Sequence, residues 1–187
     1  MSEVPSREEA LSLLKEYTTS DRLIIHALAV ESAMRAYAKK FGEDEEYWGI
    51  IGLIHDFDYE RFPTPETHVH EGMKILQERN YPEEMIRAIA SHADYMGIPR
   101  ATSLQKTLYA VDELSGFILA AALVRPSKKL ADLSVKSVKK RFKDKAFARS
   151  VDRDAIFRGA EELGIPIEDH IAYVIEAMLP ISDELGV

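Results

Sequence analysis

The spacing of the apolar residues constrains the fold of this chain more than any other feature. Segment after segment carries apolar side chains at intervals of three and four residues, the period of one face of an α-helix. No convincing run alternates apolar and polar residues between turn residues, as a half-exposed strand would. The sequence therefore predicts an all-α protein built as a helical bundle.

Nine helices are predicted from this periodicity, and residues that end or start helices separate them. The predicted helices cover about residues 6–17, 21–41, 44–55, 65–79, 83–93, 103–124, 128–143, 152–163 and 167–184. The separating residues are Gly42, Pro82, Pro99, Ser127, Asp152 and Gly164. The segment 48–55 is almost unbroken in its apolar character, which predicts the central buried helix of the bundle.

The length of the chain and its composition indicate one domain. The chain has 187 residues, of which 46% are hydrophobic, enough for one core and well above the level of disordered proteins. Composition changes near Pro126, and the stretch 128–145 is rich in Lys and Arg. We expect residues 1–187 to form a single domain in which 126–187 is a helical extension packed on the core.

Several classes of protein are disfavoured by composition. The N-terminal segment lacks the basic and apolar regions of a secretory signal, and no run approaches the roughly 20 apolar residues of a membrane span. We therefore expect a cytoplasmic protein with no membrane contact. The formal net charge of −8 argues against broad binding of nucleic acid. Because the chain has no cysteine, any metal ion must be held by nitrogen and oxygen atoms.

The histidines are concentrated in one part of the chain. Five of the six fall between residues 26 and 92: His26, His55, His68, His70 and His92. A His-Asp dipeptide alone is weak evidence, but His55 and Asp56 end the most apolar helix, where two adjacent polar side chains need partners. Asp112 likewise lies in a strongly apolar helix, and His26 lies on the flank of an apolar stripe.

In these residues the chain resembles the HD superfamily of metal-dependent phosphohydrolases, whose signature is His…His-Asp…Asp over four helices. The matching segments are LIIHALAVE with His26, GLIHDFDYE with His55 and Asp56, and LYAVDEL with Asp112. HVHEGMKIL resembles the family's next histidine in the spacing of His68 and Gly72, and AIASHADY supplies His92. The resemblance extends to a subgroup of predicted hydrolases that continue with AALVRPSKKL and SVKKRFK. Asp58 departs from the pattern, because many members have glycine at its position, and a second acidic side chain could therefore enter or border the site.

The resemblance implies a helical HD domain and a catalytic metal. His26, His55, Asp56 and Asp112 come from three distant helices, and their convergence would place two imidazoles and two carboxylates around one cation. Such a site leaves room for water and substrate. We expect Asp56 to orient the attacking water or to bridge two ions, with Mn, Fe, Ni, Co or Zn as the metal.

His68 and His92 are candidates for a second metal ion bridged by Asp56, or for binding substrate phosphate as cations. His70 is expected at the surface, since on a helix it would point about 200° away from His68. His170 has no ligand partner nearby in sequence, and we expect no functional role for it.

Four residues are candidates for binding the phosphate of the substrate. Arg61 follows Asp56 by five residues and could contact a phosphoryl oxygen during catalysis. Lys139 and Lys140 lie in a basic helical segment that is either a wall over the cleft or a solvated face. Arg125 is a further candidate.

The predicted function is hydrolysis of a small phosphate ester or nucleotide through a metal-activated water. Two alternatives stay open: an HD-type di-iron oxygenase, and a signalling module that binds metal without catalysis. The sequence predicts neither the natural substrate, nor the number of metal ions, nor the oligomeric state.

Overall fold

The computed structural model of the chain describes residues 4–187, and within them it has ten α-helices and no strand, which confirms the all-α prediction. The helices are α1 (Arg7–Tyr17), α2 (Asp21–Phe41), α3 (Glu45–Ile54), α4 (His70–Glu78), α5 (Glu83–Ala90), α6 (Ser103–Leu123), α7 (Val135–Phe142), α8 (Arg153–Leu163), α9 (Ile167–Met178) and α10 (Ser182–Leu185). Short 3-10 turns lie at Asp94–Met96, Leu130–Asp132 and Leu179–Ile181.

Helix α3 occupies the centre of the bundle because its residues from Trp48 to Ile54 are all buried. It packs mainly against α2, and α1 covers another of its sides. Helix α6 packs against both α2 and α8. The two long helices and α3 therefore bring together His26 near the start of α2, His55 directly after α3 and Asp112 in the middle of α6.

Residues 126–187 pack on the rest of the molecule through α8 and α9. Helix α8 contacts α6, and α9 contacts both α2 and α6. The buried side chains Ile156 and Ile171 belong to the same apolar cluster as the side chains of α2 and α3. The division of the chain at residue 126 stays a prediction.

Three predicted helix boundaries agree with the structure. Gly42 and Gly164 follow α2 and α8 in the left-handed conformation, with φ of 72° and 68°. Asp152 caps α8 by accepting a hydrogen bond from the backbone N–H of Ala155. These three assignments are confirmed.

Two predicted helices begin later than expected. The helix predicted at 65–79 starts at His70, because residues 65–69 form turns in which the N–H groups of Thr67 and His68 donate to the carbonyl of Thr64. The helix predicted at 128–143 starts at Val135, and its cap is the hydroxyl of Ser134 rather than Ser127. The helix predicted at 83–93 ends at Ala90.

None of the helices between residues 4 and 187 has both the length and the apolar character needed to cross a membrane.

Candidate metal centre

His55 is the residue at which α3 ends, and it is completely buried. Its Nδ1 lies 2.8 Å from the carbonyl oxygen of Gly52, which can only accept, so Nδ1 carries a proton and donates. Nε2 is then directed away from the helix. It lies 3.3 Å from Oδ1 of Asp112 and 3.5 Å from Oδ2 of Asp56.

Helices α2 and α6 contribute the other two members of this group. Nε2 of His26 lies 3.0 Å from Oδ1 of Asp112, so the same carboxylate oxygen faces two imidazoles. One ligand atom from each of His26, His55, Asp56 and Asp112 lies within 4.8 Å of the others. The structure thus brings these four side chains to one point, in a geometry that can hold a metal ion.

A second group shares Asp56 with the first. Nε2 of His68 and Nε2 of His92 each lie 3.1 Å from Oδ1 of Asp56. The Nδ1–H of His92 donates to the carbonyl of Ile89 at 2.6 Å, which leaves its Nε2 free for another partner. The ligand atoms of Asp56, His68 and His92 also lie within 4.8 Å of one another.

Oδ1 of Asp56 is a buried oxygen without a hydrogen-bond donor in the part of the chain that the structure describes. Both imidazole contacts at 3.1 Å are short enough for a hydrogen bond, but neither has the geometry of one. Leaving such an atom unpaired is costly. A cation between the oxygen and the two nitrogens would satisfy all three atoms, so the donor set fits a metal ion.

The charges of the site also favour a bound cation. Burial alone would lower the pKa of His55, but the carboxylates of Asp56 and Asp112 outweigh it and raise that pKa. The pKa of His92 is likewise raised by Asp56 against the effect of burial. Burial would raise the pKa of Asp56, yet the neighbouring imidazoles hold it well below its usual value. The carboxylates therefore stay ionised and attract positive charge to this point.

The centre is partly open to solvent. The side chain of Asp56 is 23% exposed, whereas that of His55 is fully covered. Two tyrosines lie beside His68 at this opening, Tyr59 and Tyr95, with ring centroids 5.1 and 6.5 Å from the imidazole. They are 38% and 47% exposed, which leaves both rings accessible to a ligand.

The sequence analysis did not identify three side chains that lie near the site. It also left the role of Asp58 unassigned. Tyr59 and Tyr95 carry no motif, and only their contacts with His68 identify them. Glu113 is the third: burial and the adjacent charge of Asp112 raise its pKa to about 7. Its carboxylate accepts the backbone N–H of Asp152, so it also ties α6 to the segment before α8.

The sequence predicted that His68 and His92 each lie on a helix, and this prediction is wrong. His68 precedes α4 and His92 follows α5. His70 is exposed, as predicted, but for a different reason: the backbone turns sharply at Val69, whose φ is 64°, before α4 begins. His170 is buried between Tyr37 and the carbonyl of Ala110, away from the cluster.

The candidate phosphate-binding cations contact other parts of the protein. The guanidinium of Arg61 donates to the carbonyl of Glu16 and lies 4.4 Å from the ring centroid of Tyr17. Lys139 pairs with Glu168 of α9 on the surface, and Lys140 is exposed beside it. For Arg61, Lys139 and Lys140, substrate binding stays a prediction. Arg125 lies beyond the end of α6, about 20 Å along the helix axis from Asp112, too far to border the centre.

Comparison with known proteins gives one family match. The model of the family described as HD domain matches residues 23–176, which is most of the chain and includes every member of both groups. No solved structure matches the chain.

Proposed function

Since the chain belongs to the HD domain family, a superfamily of metal-dependent phosphohydrolases, we propose that it hydrolyses a small phosphate ester or nucleotide through a metal-activated water. The observation that carries this proposal is the sharing of Asp56 between two groups of ligand atoms. A single buried structural ion would need only one of them. Two adjacent groups with a common carboxylate are typical of sites that act on both the attacking and the leaving oxygen.

The proposed ligands of the first ion are His26, His55, Asp56 and Asp112. Asp56, His68 and His92 are the proposed ligands of a second. Imidazole and carboxylate together suit Mn, Fe, Ni, Co or Zn. When bound, such an ion supplies an acidified water as the nucleophile and polarises a phosphoryl oxygen.

The protein's own residues supply orientation and access. The carbonyls of Gly52 and Ile89 fix the proton of His55 and of His92 on Nδ1, so that each Nε2 is directed to the centre. Asp56 lies at the exposed side, where water and a phosphoryl group can enter.

The first experiment combines metal content with a substrate screen. Protein purified without chelator is analysed for metals and assayed with phosphomonoesters, phosphodiesters and nucleotides, each with Mn, Fe, Ni, Co or Zn added. We expect metal-dependent hydrolysis by colourless protein. Coloured protein with two irons and no hydrolysis would favour the oxygenase alternative, and tight metal with no turnover would favour the signalling alternative.

A pair of neighbouring histidines provides a matched control. His68→Ala removes a proposed ligand, whereas His70→Ala removes an exposed imidazole only two residues away. We expect His68→Ala to lose metal and activity and His70→Ala to keep both. Equal behaviour of the two variants would argue against a role for the second group.

A further inference from the structure

Asp58 is a buried carboxylate that connects the backbone at the start of α4 to His68. Its side chain is 1% exposed. Oδ2 accepts hydrogen bonds from the backbone N–H groups of Val69, at 2.9 Å, and Gly72, at 3.1 Å. Oδ1 lies 3.1 Å from Nδ1 of His68. Asp58 therefore caps α4 from a distance, in place of Val69, whose side chain has no acceptor.

The approach of Asp58 depends on the absence of a side chain at residue 72. A Cβ added at Gly72 would lie 2.9 Å from both Cγ and Oδ2 of Asp58. Real Cβ atoms do not come this close to other atoms, so either the carboxylate or the helix would have to move. The four-residue spacing between His68 and Gly72 thus has a physical reason: the histidine and the glycine contact the same carboxylate.

Val69 turns the chain between His68 and α4. Its φ of 64° and ψ of −45° place a β-branched residue in a strained region, and the N–H of His70 donates to the carbonyl of His68 at 2.8 Å, closing a γ-turn. Such strain persists only where neighbouring groups hold it. The hydrogen bond from Val69 to Asp58 does so, and the turn aims His68 inward while His70 faces solvent.

The same carboxylate selects the tautomer of His68. Oδ2 of Asp58 accepts two backbone N–H groups and Oδ1 faces Nδ1 of His68, so Nδ1 donates to the carboxylate and Nε2 is left as the ring nitrogen directed towards Asp56, where it can bind a metal ion. His55 and His92 obtain the same tautomer from backbone carbonyls. His68 has no carbonyl in that position among the described residues, and Asp58 takes its place.

We propose that Asp58 is the positioning residue of the second metal site, fixing both the tautomer and the direction of His68 through the strained turn at Val69. This inference rests on the proposed function, in which His68 is a metal ligand. It assigns Asp58 no contact with substrate or metal.

Asp58→Asn tests the proposal with almost no change of shape. The backbone N–H groups of Val69 and Gly72 need an acceptor, so the amide oxygen faces them and the NH₂ group faces Nδ1 of His68. Nδ1 must then accept, and the proton moves to Nε2, where it blocks coordination. With Zn²⁺ as the probe, we expect two ions per wild-type chain, and in the variant one ion retained and the second bound 10–100-fold more weakly.

The tautomer itself is measured by ¹⁵N NMR of the histidine rings in zinc-loaded protein. In the wild type, we expect His68 to be protonated at Nδ1 and bound at Nε2, and in Asp58→Asn to have lost this pattern. A wild-type His68 protonated at Nε2 would overturn the proposal, and this measurement needs no variant. Unchanged stoichiometry and affinity in folded Asp58→Asn would also overturn it.

Two further variants separate positioning from general destabilisation. Gly72→Ala displaces the carboxylate from the opposite side, and we expect the same selective loss of the second ion. Asp44→Asn is the control, since Asp44 also caps a helix, accepting from the N–H groups of Glu46 and Tyr47, but contacts no described histidine. It is expected to retain both ions, and circular dichroism monitors the fold of all three variants.

Failure of this inference is distinguishable from failure of the proposed function. A wild type that binds one ion and hydrolyses phosphate esters would overturn the role of Asp58 while hydrolysis stands. A wild type that binds no metal would overturn both.

Discussion

The hydroxyl of Tyr37 donates a hydrogen bond to Nδ1 of His170 at 2.6 Å, joining α2 to α9. Nε2 of His170 lies 2.9 Å from the carbonyl of Ala110 on α6, so it must carry the proton. A neutral imidazole thus satisfies both neighbours, and burial lowers the pKa of His170 to about 4. The contact fastens the C-terminal helices to the two longest helices of the protein.

His170 makes the stability of the fold sensitive to acid. The unfolded chain binds this proton with a pKa near 6.5, so it takes up more protons than the folded chain between pH 6.5 and about 4. Stability from His170 is present above pH 6.5 and is lost as the pH falls towards 4, by at most roughly 3 kcal/mol. Urea unfolding of wild type and His170→Gln at pH 7.5 and 5.0 measures this. We expect the gap between the two proteins to shrink at pH 5.0; a constant gap would contradict the assignment.

Asp56→Ala is expected to release both ions at once. The carboxylate belongs to both ligand groups, and its removal leaves His26, His55 and Asp112 on one side and only two imidazoles on the other. We expect a fall in kcat of at least 100-fold together with loss of metal by elemental analysis. Asp132→Ala, which removes an exposed carboxylate, is the control and should keep both. Metal retained at the wild-type level in Asp56→Ala would remove the residue from the centre.

The two exposed tyrosines are expected to bind the organic part of the substrate. If that part is a nucleobase, stacking on Tyr59 or Tyr95 contributes about 1–3 kcal/mol per ring. Tyr59→Ala with Tyr95→Ala should then raise KM for a nucleotide far more than KM for glycerol phosphate. Phe157→Ala removes an exposed ring on α8 and should change neither constant. Equal increases for both substrates would exclude stacking.

Substitution by alanine is expected to change the stability of the protein in opposite directions at two helical glycines. A Cβ at Gly159 on α8 would lie 2.5 Å from Cα of Ala110 on α6, and backbone atoms cannot yield. We expect Gly159→Ala to destabilise the protein by about 1–3 kcal/mol. At Gly116 the nearest atom is Nδ1 of His26 at 3.7 Å, an ordinary contact. Gly116→Ala should stabilise by about 0.5–1 kcal/mol through helix propensity. Urea unfolding measures both, and a stabilising Gly159→Ala would contradict the close packing of α8 on α6.

The parts of the fold that sequence could predict are those governed by local apolar spacing. The continuous apolar run of α3 made its burial evident, and the glycines that end α2 and α8 follow directly from backbone chemistry. The same spacing failed before α4, because what starts that helix at His70 is the side chain of Asp58, twelve residues away. It also failed before α7, where the good helix formers of residues 128–133 form a 3-10 turn at Leu130–Asp132 instead of extending the helix.

Prediction of the site from sequence had the same limit: it identified ligands but not their long-range partners. The order of His26, His55, Asp56 and Asp112 in the chain suggested a shared ion, and the structure brings the four together. The position of Asp58 as a glycine replacement gave no indication of its partners. Two of them are backbone N–H groups, of Val69 and Gly72, that any sequence could offer, and the third is Nδ1 of His68, ten residues away. The contacts of Arg61 with α1 could not be predicted either, since they depend on the path of the loop after Asp56.

The sharing of Asp56 also has a thermodynamic consequence. If each of the two groups holds an ion, the ions would share the carboxylate of Asp56 and could not bind independently: each would change the charge that the other meets, and the effect would be equal in both directions. Occupancy of either position would then depend on the concentration of the metal that fills its neighbour. A cell that supplies two different metals would obtain a mixed pair whose composition follows their relative abundance, and the catalytic rate would vary with metal supply even at constant amounts of protein and substrate.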